Sequence, residues 1–213
     1  FLRLLSKSGT MGSSGKTKHA CTYNCMTASF QDKTFHSNDF PDGRIRGQFE
    51  NCQFMECSLP NATLSGAEFS DCTFENCDLS MAQLNGTVFR ETRFIACKML
   101  GMPFDMCNDF LLSFGFINCK LDFSCFNGLV IKQTVFDACS LEGAFFLKTN
   151  LEKSVFKNTN LADAAFEHTH LAGADFRSAH HFSIDPEQNY LKKARFSSDN
   201  LAGLLRRYDL KIN

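Results

Sequence analysis

The chain has 213 residues and a formal charge of −1, so as a whole it is neither strongly basic nor strongly acidic. Its hydrophobic content of 44%, with 24 Phe, is ample for a large core, and no apolar run is long enough for a transmembrane helix. The small net charge hides a gradient. Residues 26–189 carry 12 Lys or Arg against 21 Asp or Glu, whereas residues 1–25 carry four basic residues and no acid, and residues 190–213 carry six against two. We therefore expect an acidic body with basic ends.

The first 25 residues do not share the pattern of the rest of the chain. They begin with a short apolar stretch, Phe1–Leu5, which is too short for the core of a signal peptide, and continue with a Gly-, Ser- and Lys-rich stretch typical of flexible linkers. We predict a non-repeat basic extension over 1–25 that is either flexible or not native. A functional basic arm is the alternative.

From residue 30 onward, a bulky apolar residue recurs every five positions. This period fits neither a helix nor a strand and indicates a repeat architecture. At most of these sites, the residue two positions earlier in the sequence is small. Between Phe49 and Phe104 the order Phe-Phe-Leu-Leu recurs every 20 residues, so four pentapeptides are expected to make one turn. The most regular run consists of Leu141, Phe146, Leu151, Phe156, Leu161, Phe166, Leu171 and Phe176.

The five-residue count is interrupted twice. It slips by one residue between Ile45 and Phe49, so residues 26–48 are predicted to form an irregular N-terminal capping coil. Residues 49–180 form the repeat body, and its count breaks at 105–110, where two extra residues precede Leu111. The break is either a bulge that redirects the coil or a projecting loop that contacts a partner. Close to it, Phe114 occupies a position where the repeat calls for a small residue.

Units such as Ala62-Thr63-Leu64, Thr149-Asn150-Leu151 and Ala174-Asp175-Phe176 fit the pattern A-(D/N)-L-x-x. Over about 35–180 the sequence therefore resembles the pentapeptide-repeat family. The resemblance implies an all-β solenoid, a right-handed quadrilateral β-helix in which the central Leu or Phe and the preceding small residue point inward. The pattern of large beside small residues agrees with this, because it lets a narrow core pack densely.

Seven cysteines fall on the small position of the repeat: Cys52, Cys57, Cys72, Cys77, Cys97, Cys119 and Cys139. Their spacings of 5 and 20 do not match the close pairs of zinc sites, so we interpret them as buried free thiols, with disulfides or a metal site as the alternative. Free thiols in this number predict a reducing compartment and hence a cytoplasmic location.

Residues 181–213 are predicted to be a C-terminal cap with a short α-helix at about 199–208. Ser197, Ser198 and Asp199 offer N-caps for this helix. Its apolar face is formed by Leu201, Leu204, Leu205 and Tyr208, at helical spacing. In the family that the chain resembles, a C-terminal element also joins two rods, which implies a homodimer through this element.

The sequence contains no recognisable catalytic constellation, cofactor motif or metal-ligand pair, and its six His are scattered. We therefore expect no enzyme activity, no cofactor and no metal. Outward positions 20 residues apart should stack into acidic columns, which makes the surface the candidate site. The candidate partner-binding residues are Asn51, Asp71, Glu91, Asp105, Asp109, Phe110, Asp122, Glu142 and Asp163.

Two functions follow from this surface. The first is a non-catalytic scaffold for a protein partner of unknown identity. The second is implied by the resemblance, because members linked to quinolone resistance are described as DNA mimics that bind DNA gyrase or topoisomerase IV, the type II topoisomerases. Neither function requires direct contact with nucleic acid or a membrane. An acidic surface that only keeps the rod in solution is a third interpretation.

Overall fold

The structure is a computed structural model that describes residues 28–208 and 210–211. The predicted basic extension over 1–25 lies outside the described residues. The described chain winds into the right-handed, four-sided β-helix that the five-residue period predicts, and all of its strand pairs are parallel. The strands are β1 Ser29–Gln31, β2 Thr34–Phe35, β3 Gln48–Glu50, β4 Gln53–Met55, β5 Glu68–Ser70, β6 Thr73–Glu75, β7 Val88–Arg90, β8 Thr92–Ile95, β9 Phe114–Ile117, β10 Val135–Asp137 and β11 Val155–Lys157.

We name the four sides of the coil A to D in the order in which the chain visits them. Side A carries the sheet β1-β3-β5-β7, and side B carries the seven-stranded sheet that runs from β2 to β11. Sides C and D are joined from coil to coil by single bridges, such as Asp78 to Lys98 on side C and Cys125 to Phe145 on side D. Successive coils are about 4.8 Å apart, as strand spacing requires.

The interior is filled by the residues that the five-residue count selects. On side B, Phe54, Phe74 and Phe94 are fully buried, and their rings stack at centroid distances of 4.3 and 5.1 Å. The second Phe column changes sides along the rod. It lies on side A up to Phe89 and on side D from Phe104 onward. The order Phe-Phe-Leu-Leu between Phe49 and Phe104 and the alternation of Leu and Phe from Leu141 to Phe176 therefore differ because one column of Phe rings moves to another side of the same core.

Some small inward positions hold Ala, and at others Thr, Ser or Cys combines low volume with a satisfied polar hydrogen. Thr87 Oγ1 donates to the Leu64 carbonyl at 2.9 Å, and Cys77 Sγ donates to the Phe54 carbonyl at 3.3 Å, in each case one coil earlier. The cysteines of the repeat are buried free thiols. Burial raises the pKa of the Cys72 thiol to about 11, so this side chain packs as a neutral, small residue.

Most corners of the coil are made by a residue in the left-handed region, two positions after the central Leu or Phe. Asn51, Asp71 and Glu91 have φ values of 50°, 54° and 46°, and Met81 and Phe123 have values of 59° and 61°. Asn and Asp tolerate this conformation better than bulky residues do. Their frequency at the corners therefore follows from the backbone and does not by itself indicate an acidic binding site.

Both interruptions of the count appear as changes in coil length. Phe30 pairs with Phe49 and Phe35 with Phe54, so the first coil contains 19 residues and includes two strands and the 3-10 helix Ser37–Asp39. The coil between Thr92 and Phe114 contains 22 residues, and the 3-10 helix Phe104–Met106 directly precedes its extra residues.

The C-terminal helix is present, in 3-10 rather than α geometry, as the segments Ser198–Leu204 and Arg206–Tyr208. The Ser197 N–H donates to Asn200 Oδ1 at 3.1 Å, which caps the first segment. A methyl group added to Gly203 would lie 2.4 Å from the Phe182 ring, so the segment is packed closely onto the last coil. A 3-10 helix has three residues per turn, and this spreads the predicted apolar face.

Candidate protein-binding surface

The described part of the rod offers its outer sides for function, because the inward side chains are committed to packing. A groove of about 610 Å³ lies on the corner between sides A and B. It is lined by Asp71, Glu91, Thr92, Arg93, Ser113, Phe114, Gly115, Lys132, Gln133, Thr134 and Val135. Gly115 leaves room in its floor, because a methyl group added there would meet only one atom, the Val135 carbonyl oxygen, at 4.0 Å.

The first predicted acidic column, Asn51, Asp71 and Glu91, is a real column on this corner. The Asn51 N–H donates to the Ser70 carbonyl at 3.0 Å and the Asp71 N–H donates to the Arg90 carbonyl at 2.9 Å, so the three corners follow one another at coil spacing. All three side chains are exposed. Asn51 Nδ2 donates to Asp32 Oδ1 at 2.6 Å, which extends the column by one coil.

Asp32 was missed by the sequence reasoning because the first coil is one residue short. Counting back 20 positions from Asn51 leads to Gln31, whereas the actual offset of 19 leads to Asp32. The slip between Ile45 and Phe49 is the signal that could have found it.

The residues of the break belong to the same region as this column. Ser113 Oγ donates to Glu91 Oε1 at 3.0 Å and accepts a hydrogen bond from the Glu91 N–H at 2.7 Å, which ties the end of the insertion to the column. Asp109 is exposed, and Phe110 and Leu111 are 66% and 64% exposed. The Asn108 and Ser113 N–H groups donate to the Thr87 and Phe89 carbonyls at 2.9 and 3.0 Å, so the insertion that holds Asp109 and Phe110 lies along side A, and Leu111 shares a small groove with Glu91.

The second predicted column lies at the opposite corner, between sides C and D. Asp122 is half-buried and accepts hydrogen bonds from Ser140 Oγ and from the Glu142 N–H, the latter at 3.1 Å, so it joins two coils. Asp163 is displaced by one position, because it follows Phe123 and Gly143 at the corner itself. The two columns therefore do not form one continuous acidic face, and Asp105 lies apart from both, on side D.

Charge is distributed unevenly along the rod. Residues 28–113 contain twelve Asp or Glu and six Lys or Arg, a formal charge of −6, whereas residues 114–208 contain ten and eleven, a charge of +1. Most of the ion pairs are in the second half, at 2.8 Å for Lys132–Glu152 and for Lys157–Asp137. There, the Lys132 ammonium group lowers the pKa of the Glu152 carboxyl by hydrogen bonding. The acidic groups that have no cation beside them are concentrated in the first half.

The four residues predicted to form an apolar helix face separate at the C-terminus. Leu204 packs against the core and Leu205 is half-buried, whereas Leu201 and Tyr208 are 45% and 48% exposed. The Tyr208 hydroxyl donates to Glu187 Oε1 at 2.9 Å, which holds the second helical segment on the cap. A homodimer through this element stays a prediction.

Within residues 28–208, no three His, Cys, Asp or Glu side chains are placed to hold a metal ion together. No helix in this range combines the length and apolar character needed to cross a membrane. The His side chains near the end of the rod make separate contacts. His181 Nδ1 lies 2.9 Å from Asn160 Oδ1, and the ring centroids of His170 and Tyr190 are 4.7 Å apart.

The repeat that builds these sides matches the sequence profile of pentapeptide repeats in eight copies, over residues 52–90, 67–99 and 131–164. This chain is a pentapeptide-repeat protein. No curated protein matches its sequence.

Comparison with solved structures supports the fold through QnrB1. Full-length QnrB1, a plasmid-mediated fluoroquinolone resistance protein, superposes with a TM-score of 0.59 at 17% identity, over 86% of this chain and all of that one. HetL, involved in heterocyst differentiation regulation in the cyanobacterium Nostoc sp. strain PCC 7120, gives a TM-score of 0.35 at 14% identity, over 79% of this chain and 84% of that chain. At 17% identity, the likeness to QnrB1 concerns the fold alone.

Proposed function

We propose that this pentapeptide-repeat protein is a non-catalytic scaffold that binds a protein partner through the corner between sides A and B. The observation that supports this is the continuity of one surface. The column Asp32, Asn51, Asp71 and Glu91 leads into the groove, and the exposed Leu111 lies beside Glu91 in the insertion that also carries the exposed Phe110. Interfaces commonly combine an aromatic anchor with charged groups at the rim.

The charge of this surface indicates the chemistry of the partner. Glu91 and Asp71 have no ion pair among the described residues, so a basic partner surface would gain attraction without displacing an existing cation. Such complementarity mainly raises the association rate and weakens with salt. The nine described cysteines are free thiols, which supports a reducing, cytoplasmic setting for the interaction.

Charge reversal tests this proposal. Proteins retained by the immobilised full chain are identified, purified and measured individually against Asp71→Lys/Glu91→Lys. We expect a dissociation constant at least about tenfold weaker for the variant, because two attractions become repulsions. A change below twofold in a folded variant would contradict the proposal.

The matched control is Glu142→Lys/Asp163→Lys, which makes the same charge change at the opposite corner. We expect it to retain the affinity of the unmodified chain. Equal losses in both variants would show that binding follows net charge and not this corner.

A DNA mimic directed at a type II topoisomerase is the second candidate, favoured by the regular spacing of the acidic column. The column presents one side chain per coil of about 4.8 Å, against one phosphate per about 1.7 Å of duplex axis, so its charge is sparser than that of DNA. A gyrase supercoiling assay with and without ciprofloxacin distinguishes the candidates. The mimic predicts inhibition or drug protection at micromolar protein, and the scaffold predicts neither.

A further inference from the structure

Between residues 62 and 128, side D carries almost no charge. Its segments 62–66, 82–86, 102–106 and 124–128 contain a single Asp, Glu, Lys, Arg or His, which is Asp105, whereas Arg44 and Arg46 precede them on this side and Lys148 and Glu167 follow them. This absence is unusual in a rod whose described residues include 22 Asp or Glu. This middle part of the side therefore lacks the charged groups that keep a surface hydrated.

An apolar patch occupies the middle of side D. We define the side D patch as Pro103, Met106, Phe123, Cys125 and Phe145. Pro103, Cys125 and Phe145 follow one another on three successive coils through parallel bridges. Met106, Phe123 and Phe145 are 54%, 62% and 44% exposed. Contiguous exposed apolar groups of this kind mark interaction sites more often than isolated ones do.

The Phe123 ring is held flat along the rod by its neighbour. A methyl group added to Gly143 would lie 2.7 Å from Phe123 Cδ1, so the ring covers the backbone of the next coil. Phe123 has a φ of 61°, a conformation that bulky residues rarely adopt. Most other corners share this φ, so the feature that distinguishes Phe123 is its large exposed apolar side chain, which is typical of an interaction site.

Asp105 lies beside the patch and has one carboxylate oxygen without a hydrogen-bond donor among the described residues. This atom, Oδ1, is buried, while the residue as a whole is half-buried. The neighbouring thiols of Cys107 and Cys125 are neutral, since burial raises the pKa of each. A carboxylate in such surroundings is stabilised by a cation brought in by a ligand.

We propose that the side D patch binds the segment Phe1–Leu5 of the same molecule, with Arg3 paired to Asp105. The segment reads Phe-Leu-Arg-Leu-Leu. Its four apolar residues suit the apolar patch, and its one cation suits the single carboxylate beside that patch. The stretch 1–25 contains no acid that would compete for Arg3.

The start of the described chain is compatible with this contact. The Ala28 carbonyl accepts a hydrogen bond from the Gln48 N–H at 2.8 Å, which places residue 28 at the beginning of side A, next to side D. Asp105 lies four coils further along, or about 20 Å. The preceding 27 residues can span up to about 90 Å, so the segment can reach the patch of its own molecule.

Photo-crosslinking in the full chain tests this proposal. Benzoylphenylalanine replaces Leu2, and the crosslinked peptides are identified by mass spectrometry after irradiation at low micromolar protein. We expect a product with the mass of one chain whose crosslinks fall on peptides containing Met106, Phe123 or Phe145. Arg3→Asp is expected to lower the yield roughly fivefold, the effect of one exposed ion pair.

Restoration of the pair separates a specific contact from a loss of folding. Asp105→Arg should lower the yield as Arg3→Asp does, and Arg3→Asp/Asp105→Arg should return it to within about twofold of the original. Asp71→Arg, on the far corner, should leave the yield unchanged. Crosslinks on other sides, a product with the mass of two chains, or no restoration in the double variant would overturn the proposal.

Discussion

Replacing Leu161 with Asp is expected to unfold the coils around it. Leu161 is fully buried, and its N–H donates to the His180 carbonyl of the next coil at 2.9 Å. The substitution removes a buried aliphatic side chain and places a carboxylate in a core without a cation, so we expect a loss of at least about 4 kcal/mol in the free energy of unfolding. Urea denaturation followed by circular dichroism measures this loss, and hydrogen exchange locates it.

Glu167→Ala is the matched control, because Glu167 is exposed and lies on the next side of the same coil. Its free energy of unfolding should change by no more than about 0.5 kcal/mol. In a solenoid, each coil depends on its neighbours, so exchange in Leu161→Asp should rise first in the C-terminal coils. Equal urea midpoints for the two variants would contradict the inward assignment of Leu161.

Replacing Phe114 with Ala is expected to destabilise the rod, although the repeat calls for a small residue at this position. Phe114 is 5% exposed, and its ring lies 5.3 Å from Phe104 and 5.1 Å from Phe116. It fills the core where the second Phe column moves from side A to side D. Removing the ring leaves a cavity, so we expect a loss of about 3–5 kcal/mol in the free energy of unfolding, measured by urea denaturation.

Thr134→Ala provides the comparison, because Thr134 occupies the same position one coil later. Its Oγ1 donates to the Ile131 carbonyl at 3.0 Å, so the substitution removes one hydrogen bond and should lower stability by about 1 kcal/mol. A loss in Phe114→Ala as small as that in Thr134→Ala would mean that the ring does not fill the core at the insertion.

The fold followed from the sequence because each side chain of the repeat has one role. Large residues every five positions and small residues two positions earlier can be buried together only if the backbone turns at the same interval, and the buried Leu and Phe columns confirm this. The column Asn51, Asp71 and Glu91 was predictable for the same reason. Asp32 was not, because one missing residue shifts every position before it.

Other features depended on the environment of a residue rather than on its position in the repeat. The predicted α-helix is built from 3-10 turns, and Gly203 packs closely on Phe182 within it. Asp122 fits the acidic pattern, yet its carboxylate is used to join two coils. Sequence spacing cannot separate a carboxylate that binds its neighbours from one that faces solvent.

The sequence alone determined the period, the inward residues, the four-sided coil and the place of the insertion, because packing in a narrow core is a local and repeated requirement. The tertiary structure decided which outward residues share a surface. It placed the two acidic columns on opposite corners, brought the insertion beside Glu91, and left side D apolar around Asp105. The physical reason is that surface neighbours come from different coils, and coils of 19, 20 and 22 residues change which side chains meet.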